Sequence, residues 1–501
     1  MSATALHERL SPPARAFAQS RLGLLIGGDR PEAADGRTFT TYDPGTGRAI
    51  ADVPLAGGAD VERAVRTARA ALEDGPWATL LPAERGRLIG RLADLVEANA
   101  AELAELEALD NGKPVKYARM MDVTSAVQTL RYAAGWPTKI TGETAPVSVP
   151  GAFCYTRRIP IGVCAQIVPW NFPLLMAAWK IGPALAAGCT TILKPAEQTP
   201  LSALRLGELA LEAGIPEGVL NVLTGDGSTG ALLVEHPEID KVAFTGSTPV
   251  GREIARTAGG RLVPVTLELG GKSASIILPD ADVRAAAAGT YSGIYFNSGQ
   301  MCNANSRVLV HEAVFDAVVE ALVRRMAKAR LGHGLAEGTD TGPVVSADQH
   351  DRVREYIASG VDEGAELVAG GRSEGLADGG WFVEPTLFAS DGSKDLRILR
   401  EEIFGPVLVV EPFSDTEAIA RRANDTEFGL AAGIWTKDLV GAHRLAHRLR
   451  AGSVYVNGWG RNDPAAPFGG MKASGLGREQ GAEGLNAYLE TQSVWLDLGA
   501  P

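Results

Sequence analysis

Cysteine is scarce in this chain: four residues in 501, at Cys154, Cys164, Cys189 and Cys302. So few thiols in so long a sequence cannot build a disulfide framework, and they point to a reduced, cytoplasmic protein. Histidine is scarce too, with seven scattered copies. His443 and His447 are spaced to share a helical face, but HRLAH lacks the glutamate of a zinc-protease motif, so no metal site is expected. No apolar run reaches the roughly 18 residues of a membrane-spanning helix. The opening residues, MSATALHERLSPPARAF, carry charges where a secretory signal has its apolar stretch. Basic runs are missing, and the net charge is −12. That balance argues against nucleic acid and anionic membranes as partners.

What is present is a long, ordinary globular composition, 45% hydrophobic and 22% charged, with 59 Gly and 29 Pro marking many tight loops. The length exceeds one core and implies several lobes. Residues 1–20 are expected to form a loose arm. RTFTTYDPGTGRAIADVPLA, residues 37–56, reads as a hairpin. A helix then follows, with Asp60 as its N-cap and Val61, Ala64, Val65, Ala68 and Leu72 on one face. A helical pair carrying Leu88, Leu92, Val96, Leu103, Leu106 and Leu109 stops at Asn111-Gly112-Lys113-Pro114. From about residue 160 the rhythm becomes strand–helix–strand: IGVCAQIVP, CTTILKP, VLNVLTG, KVAFTGS and VPVTLELGG alternate with helical stretches. Such near-continuous apolar strands imply a parallel sheet covered on both faces, an α/β fold with ligands at the strands' carboxyl ends. A second α/β region begins near 272, with SASIILP, RVLVH, WFVEPTLFA and VLVVEPF as strands. Residues 138–159 and 485–501 fit neither region. Their interleaved β pattern predicts strands that pair elsewhere, with another subunit for example.

Seven stretches carry chemistry. FTGSTPVGREI places Gly246, Ser247 and Gly251 where a strand opens into a helix, a variant dinucleotide fingerprint; a plain structural turn is an equal reading. In LKPAE, Lys194 and Glu197 stand at a strand's end, where they can hold ribose hydroxyls, and the carboxylate disfavours a 2′-phosphate. The competing reading is a solvated Lys–Glu pair. In PWNFPLLMAAWK, Asn171 can donate to an oxyanion or simply cap a helix, and Phe172, Met176 and Trp179 can line a tunnel or pack in a core. Glu268, in TLELGGK, is a lone carboxylate in an apolar run, whose pKa burial would lift toward that of a general base; a partly solvated glutamate at a strand end is an equal reading. In NSGQMCNANSR, Cys302 has no partner cysteine and no neighbouring histidine, so packing and nucleophile both remain open. EEIFGPV and PFGGMKASGLGREQG complete the set; on their own they read as surface loops.

In their chain order, from PWNFPLLMAAWK and LKPAE through FTGSTPVG to PFGGMKASGLGREQG, the seven stretches resemble the NAD(P)-dependent aldehyde dehydrogenase superfamily, from about residue 25 to about residue 498. The likeness is strongest to the class-1/class-2 and phenylacetaldehyde-type branch. The resemblance implies a Rossmann-type cofactor domain over 1–137 and 160–271. It implies a catalytic domain over 272–484, and a small bridging part from 138–159 and 485–501 that pairs subunits into a homodimer or homotetramer. It makes Cys302 the nucleophile, with Asn171 and the backbone N–H of Cys302 holding the oxyanion. Hydride then passes to NAD, and Glu268 activates the water that hydrolyses the thioester. It assigns Lys194 and Glu197 to the adenosine ribose and Ser247, with Gly246 and Gly251, to the pyrophosphate. Pro169, Trp170, Glu402 and Phe404 fall to the nicotinamide side, although the EE pattern alone does not separate Glu401 from Glu402. Phe172, Met176, Trp179, Met301, Trp459 and Phe468 are expected to line an apolar tunnel for an aromatic or medium-chain aliphatic aldehyde. One departure is Ala304-Asn305-Ser306, where the family often has Ala-Gly-Ser. Another is the loop VNGWGRNDPAAPFGG, in which Arg461 could instead select an acidic semialdehyde. Retention of Glu268 argues against a CoA-acylating activity, and the cofactor motifs argue against a plain esterase.

Overall fold

The computed structural model describes residues 9–376 and 379–499. Apolar β-rich runs bounded by Gly and Pro become short strands, and these assemble into two large sheets. The first has six strands in the order Gly475–Leu476, Val265–Glu268, Lys241–Thr245, Val163–Ile167, Thr190–Lys194 and Leu220–Val222. All neighbours are parallel except the short edge strand, which pairs antiparallel through Gly475 opposite Glu268. The second has seven strands, centred on Ala274–Ile277, Arg307–His311 and Val407–Phe413, and is parallel except for its edge strand Glu366–Ala369. Because Gly475–Leu476 belongs to the first sheet, the stretch 272–484 contributes strands to both.

The helix Pro173–Ala187 is buried along almost its entire surface, as its all-round apolar sequence requires. It packs against the helix Thr124–Ala134 and beneath the first sheet. The exception to its composition is Lys180, which is fully buried.

Two expectations need correction. Residues 12–19 are not a loose arm but a helix that starts on Pro12 and buries Ala14 and Ala18 in the main core; residues 1–8 lie outside the described residues. Asp60 is not the N-cap of its helix. The helix runs Gly58–Glu73 from Gly57, and Asp60 sits in the first turn, where its carboxylate accepts from the backbone N–H of Gly57 at 2.9 Å and of Ala34 at 3.0 Å. A glycine at the cap has no side chain to offer, so the acidic residue three positions on supplies the acceptor. The segments that fit neither region pair with each other inside the chain: Leu489–Asp497 lies antiparallel to Ala152–Pro160, which pairs in turn with Thr144–Ala145.

Candidate active site

Loops leaving the carboxyl ends of the first sheet meet loops of the second around a cavity of about 1240 Å³. Strand Val163–Ile167 delivers Pro169, Trp170 and Asn171; strand Lys241–Thr245 delivers Gly246 and Ser247; strand Val265–Glu268 ends on Glu268 itself. Cys302, Glu402 and Phe404 reach the same cavity from the second region.

The thiol is carried on a strained turn. After the helix Val283–Tyr295, three consecutive residues are left-handed: Asn297 (φ 49°), Ser298 (φ 53°) and Gly299 (φ 74°). Two of them are not glycine, and such residues are held there only when their surroundings over-determine them. They are so held. Asn297 Nδ2 donates to the Asn171 carbonyl at 3.0 Å, Ser298 Oγ donates to the Gly342 carbonyl at 2.7 Å, and Gln300 Nε2 donates to the Asn297 carbonyl at 3.0 Å. At Gly299 a Cβ would run into the backbone of Gly405 and Pro406. Cys302 emerges half-buried from this turn. Burial pushes its thiol up to about 12, the charges of Glu268 and Glu402 add to the rise, and the backbone N–H groups of Asn303 and Cys302 only partly offset it. Among the described residues no cation shifts this thiol downward, so it rests protonated.

Asn171 is buried, and one of its amide N–H groups donates to the Gln300 carbonyl at 2.9 Å. The second N–H is left for a ligand. Glu268 is 4% exposed, and neither carboxylate oxygen has a hydrogen-bond partner among the described residues. Burial holds its pKa well above the ordinary carboxylate range and the nearby Glu479 lifts it further, while Lys180 and Arg478 pull the other way. The backbone approaches closely here: a Cβ at Gly469, which is left-handed (φ 156°), would press on a Glu268 oxygen. Behind Glu268 the ammonium of Lys180 is bonded to the carboxylate of Glu479.

On the other side of the thiol, Glu402 accepts from the Gly271 N–H at 2.8 Å through one oxygen, and burial raises it to about 7. Glu401 is occupied elsewhere, taking the Tyr356 hydroxyl at 2.6 Å and Arg397 at 3.0 Å, so the geometry separates the two acids. Phe404 is left-handed (φ 62°), a rare state for a bulky residue, and meets Trp170 edge-on at 5.2 Å. Ser247 is the N-cap residue of the helix Thr248–Gly260, without a side-chain capping bond, and Ser247, Thr248 and Pro249 line the cavity. Three expected residues stand outside the cavity lining. Lys194 is buried at the end of its strand, 3.6 Å from the Glu197 carboxylate, and Gly251 lets its helix pack on Leu269.

The apolar wall gathers as expected. Phe172, Met176, Trp179, Met301, Trp459 and Phe468 all line the cavity. Phe172 stacks on Phe296 at 6.3 Å, and Trp179 meets Phe468 edge-on at 5.2 Å. Arg461 is exposed and does not line the cavity, whereas Asn462 does.

Sequence reasoning missed Lys180, Glu479 and Lys113. A lone lysine inside LLMAAWKIGPALAAG is the same signal that singled out Glu268, a charge in an apolar run. Glu479 gave none, because it follows a glycine-rich loop and looks solvated. Lys113 was hidden in a helix terminator.

Comparison with known proteins shows the family. The family model described as "Aldehyde dehydrogenase family" matches residues 32–494. Phenylacetaldehyde dehydrogenase of Pseudomonas fluorescens is 49% identical over 477 residues, 94% of this chain and 95% of that protein. Benzaldehyde dehydrogenase of Antirrhinum majus is 45% identical, covering 100% of this chain and 93% of that one. An NAD+ complex of an aldehyde dehydrogenase from Bacillus cereus superimposes with a TM-score of 0.96 at 49% identity, over 98% of this chain and 99% of that one.

The raised thiol makes a direct test. In the chain without ligands, iodoacetamide alkylation of Cys302 is expected to be slow at neutral pH and to climb by roughly tenfold per pH unit, following the thiolate. Glu268→Gln removes a neighbouring acid that raises the thiol and should shift the curve to lower pH. Mass spectrometry of the alkylated peptide reads both, and a wild-type plateau at neutral pH would contradict the electrostatics.

Proposed function

The chain belongs to the aldehyde dehydrogenase family, and on that premise we propose that it oxidises an aromatic or medium-chain aliphatic aldehyde to the carboxylate with NAD, through a thioester on Cys302. The observation that carries the reading is the meeting in one cavity of a thiol, a free amide N–H and an unpartnered buried carboxyl, at Cys302, Asn171 and Glu268.

The residues around the cavity fit NAD. Thr245 Oγ1 is buried, lines the cavity and has no partner among the described residues. Glu402 has one oxygen fixed by Gly271 and one left to accept from a ribose hydroxyl. The helix end at Ser247 favours a pyrophosphate. The Glu197 carboxylate beside Lys194 would repel a 2′-phosphate, so NAD is preferred over NADP. Bound NAD supplies the hydride acceptor.

The chain supplies the rest. The Cys302 sulfur, once deprotonated, adds to the aldehyde carbon, and Asn171 Nδ2 with the Cys302 backbone N–H takes the charge on oxygen. After oxidation the carbon is held as a thioester. Glu268, whose ionised form burial makes a stronger base, takes a proton from the attacking water; the water oxygen bonds to the thioester carbon, the C–S bond breaks, and the acid formed gives its proton to the departing sulfur, leaving the carboxylate and the Cys302 thiol. The Lys180–Glu479 pair lies beside Glu268 and acts on its charge: Glu479 disfavours the ionised form and Lys180 favours it.

For the aldehyde, the aromatic wall from Phe172 to Phe468 favours a flat apolar tail, in keeping with the aldehydes in the names of the two relatives. A distal carboxylate is the alternative. Arg461 gives it no support, but Arg325 and Lys328 do line the cavity. The three-stranded sheet supports the homodimer or homotetramer. Leu489–Asp497 is an open edge strand, and Phe153, Trp495 and Leu496 are exposed on this sheet.

Three outcomes are expected. Cys302→Ala should abolish NADH formation from benzaldehyde while NAD binding stays; residual dehydrogenase turnover at the wild-type rate would remove the assigned nucleophile. Glu197→Gln should narrow the NAD over NADP preference in kcat/KM by roughly tenfold, the worth of one lost charge contact; a wild-type enzyme faster with NADP would refute the carboxylate argument. Trp495→Asp should lower the mass seen by light scattering on size-exclusion chromatography, and an unchanged oligomer would place the interface elsewhere.

A further inference from the structure

The amide assigned to the oxyanion sits in the segment Trp170–Leu174, which runs from a loop into the first turn of the helix Pro173–Ala187 and is bonded to a buried polar cluster. Asn111 Nδ2 donates to the Trp170 carbonyl at 2.7 Å. Glu107 accepts the Leu174 N–H at 2.6 Å. Between them, the ammonium of Lys113 donates to the Asn171 carbonyl at 3.0 Å and to the Asp122 carboxylate at 2.6 Å. Lys113 is 1% exposed and Asp122 is fully buried. The same ammonium stands 4.0 Å from the centroid of the Phe172 ring, which in turn stacks on Phe296.

An ion pair so deep is costly to desolvate, and a well-packed apolar pair would serve stability as well or better. Stability alone therefore does not account for it. What the pair does that an apolar pair cannot is aim a cation at two neighbouring residues at once. Its bond to the Asn171 carbonyl is shared with Asn297, the first left-handed residue of the thiol's turn. The carbonyl of Asn171 is thus the point where the amide loop, the nucleophile turn and the buried cation meet. Asp122 comes from a π-helical segment, Ala118–Val123, whose widened turn brings its carboxylate inward. Pro114 ends the Gly112–Lys113 stretch and fixes the backbone from which the lysine reaches in.

We propose that Lys113 is a positioning residue: its buried ammonium, anchored by Asp122, sets the Asn171 carbonyl and the Phe172 ring together, and so keeps the oxyanion amide and one wall of the substrate channel in register with Cys302. The proposal rests on the reading of Asn171 as the oxyanion donor. Misplacing a donor by about an ångström is enough to slow a reaction by roughly a hundredfold. The Lys113 side chain makes no contact with the cofactor-side residues Ser247 or Glu402, so NAD binding is predicted to be unaffected.

The test separates positioning from plain stability. Lys113→Met leaves Asp122 buried without its partner and should lower Tm; the double variant Lys113→Met/Asp122→Leu removes both charges and should recover most of that loss. In the full-length enzyme, the single-turnover burst of NADH from benzaldehyde should fall by roughly tenfold to a hundredfold in both variants, with the NAD dissociation constant within about twofold of wild type. The loss should be greater for benzaldehyde than for hexanal, because Phe172 moves with the amide. If the double variant recovers the burst rate along with Tm, the pair is structural and the proposal is overturned. Asn171→Ala is run in parallel. A wild-type burst in that variant overturns the oxyanion reading itself, whereas a slowed Asn171→Ala beside a fast double variant overturns only the role of Lys113.

Discussion

Desolvation of two acids in one cavity is the constraint around which the rest of the site is arranged. The Cys302 thiol and the Glu268 carboxyl are both drawn out of water by the same walls, and each is pushed toward its neutral form. Neutral groups can stand side by side without repulsion, which two anions in a low-dielectric cavity could not. The proposed chemistry needs each of them charged in turn, never together. The surrounding features answer that requirement: N–H groups at the oxyanion, a fixed Glu402 across the thiol, and an interior Lys180–Glu479 pair behind Glu268.

The same constraint explains the local strain. A thiol that must reach the cavity from the second region, while its flanks stay packed, requires a sharp change of direction. Asn297, Ser298 and Gly299 provide it in left-handed conformations, tied down by bonds to the first region and to the 342–345 segment. Phe404, also left-handed, turns the opposite rim. Rigid packing on both sides is what makes such a turn affordable.

Much of the fold was legible because its strands are apolar and short and Gly or Pro punctuates the turns between elements: each strand of the βα succession from Val163 to Glu268 stands where the pattern placed it. The cavity residues were legible where a single residue contradicted its surroundings, as Glu268 and Cys302 do. Legibility failed for partners whose meaning lies in three dimensions. Lys180 needs Glu479, from a distant loop, to make sense as a buried cation, and Asp60 needed the side-chain-free Gly57 to be read as a first-turn acceptor. The EE pattern alone does not separate Glu401 from Glu402; in the fold Glu402 takes the Gly271 N–H while Glu401 is bonded to Tyr356 and Arg397. The pairing of residues 152–160 with 489–497 was hidden for the same reason, since strand partners far apart in sequence leave no local trace.

One detail of the first sheet has a consequence for how the molecule comes to be assembled. The strand that ends on Glu268 is bordered on its open side only by Gly475–Leu476, and the backbone of Gly469 and the pair through Glu479 enclose the same carboxyl. Cys302 and Asn171 are synthesised long before any of these. During translation Cys302 and Asn171 therefore emerge first, while Glu268 waits for the segment that encloses it, some two hundred residues downstream, a long loop to close. A nascent or prematurely ended chain lacks the walls that hold Glu268 away from water. The buried setting of Glu268 is thus a property of the finished polypeptide, absent from any fragment that carries the thiol but stops short of Gly469.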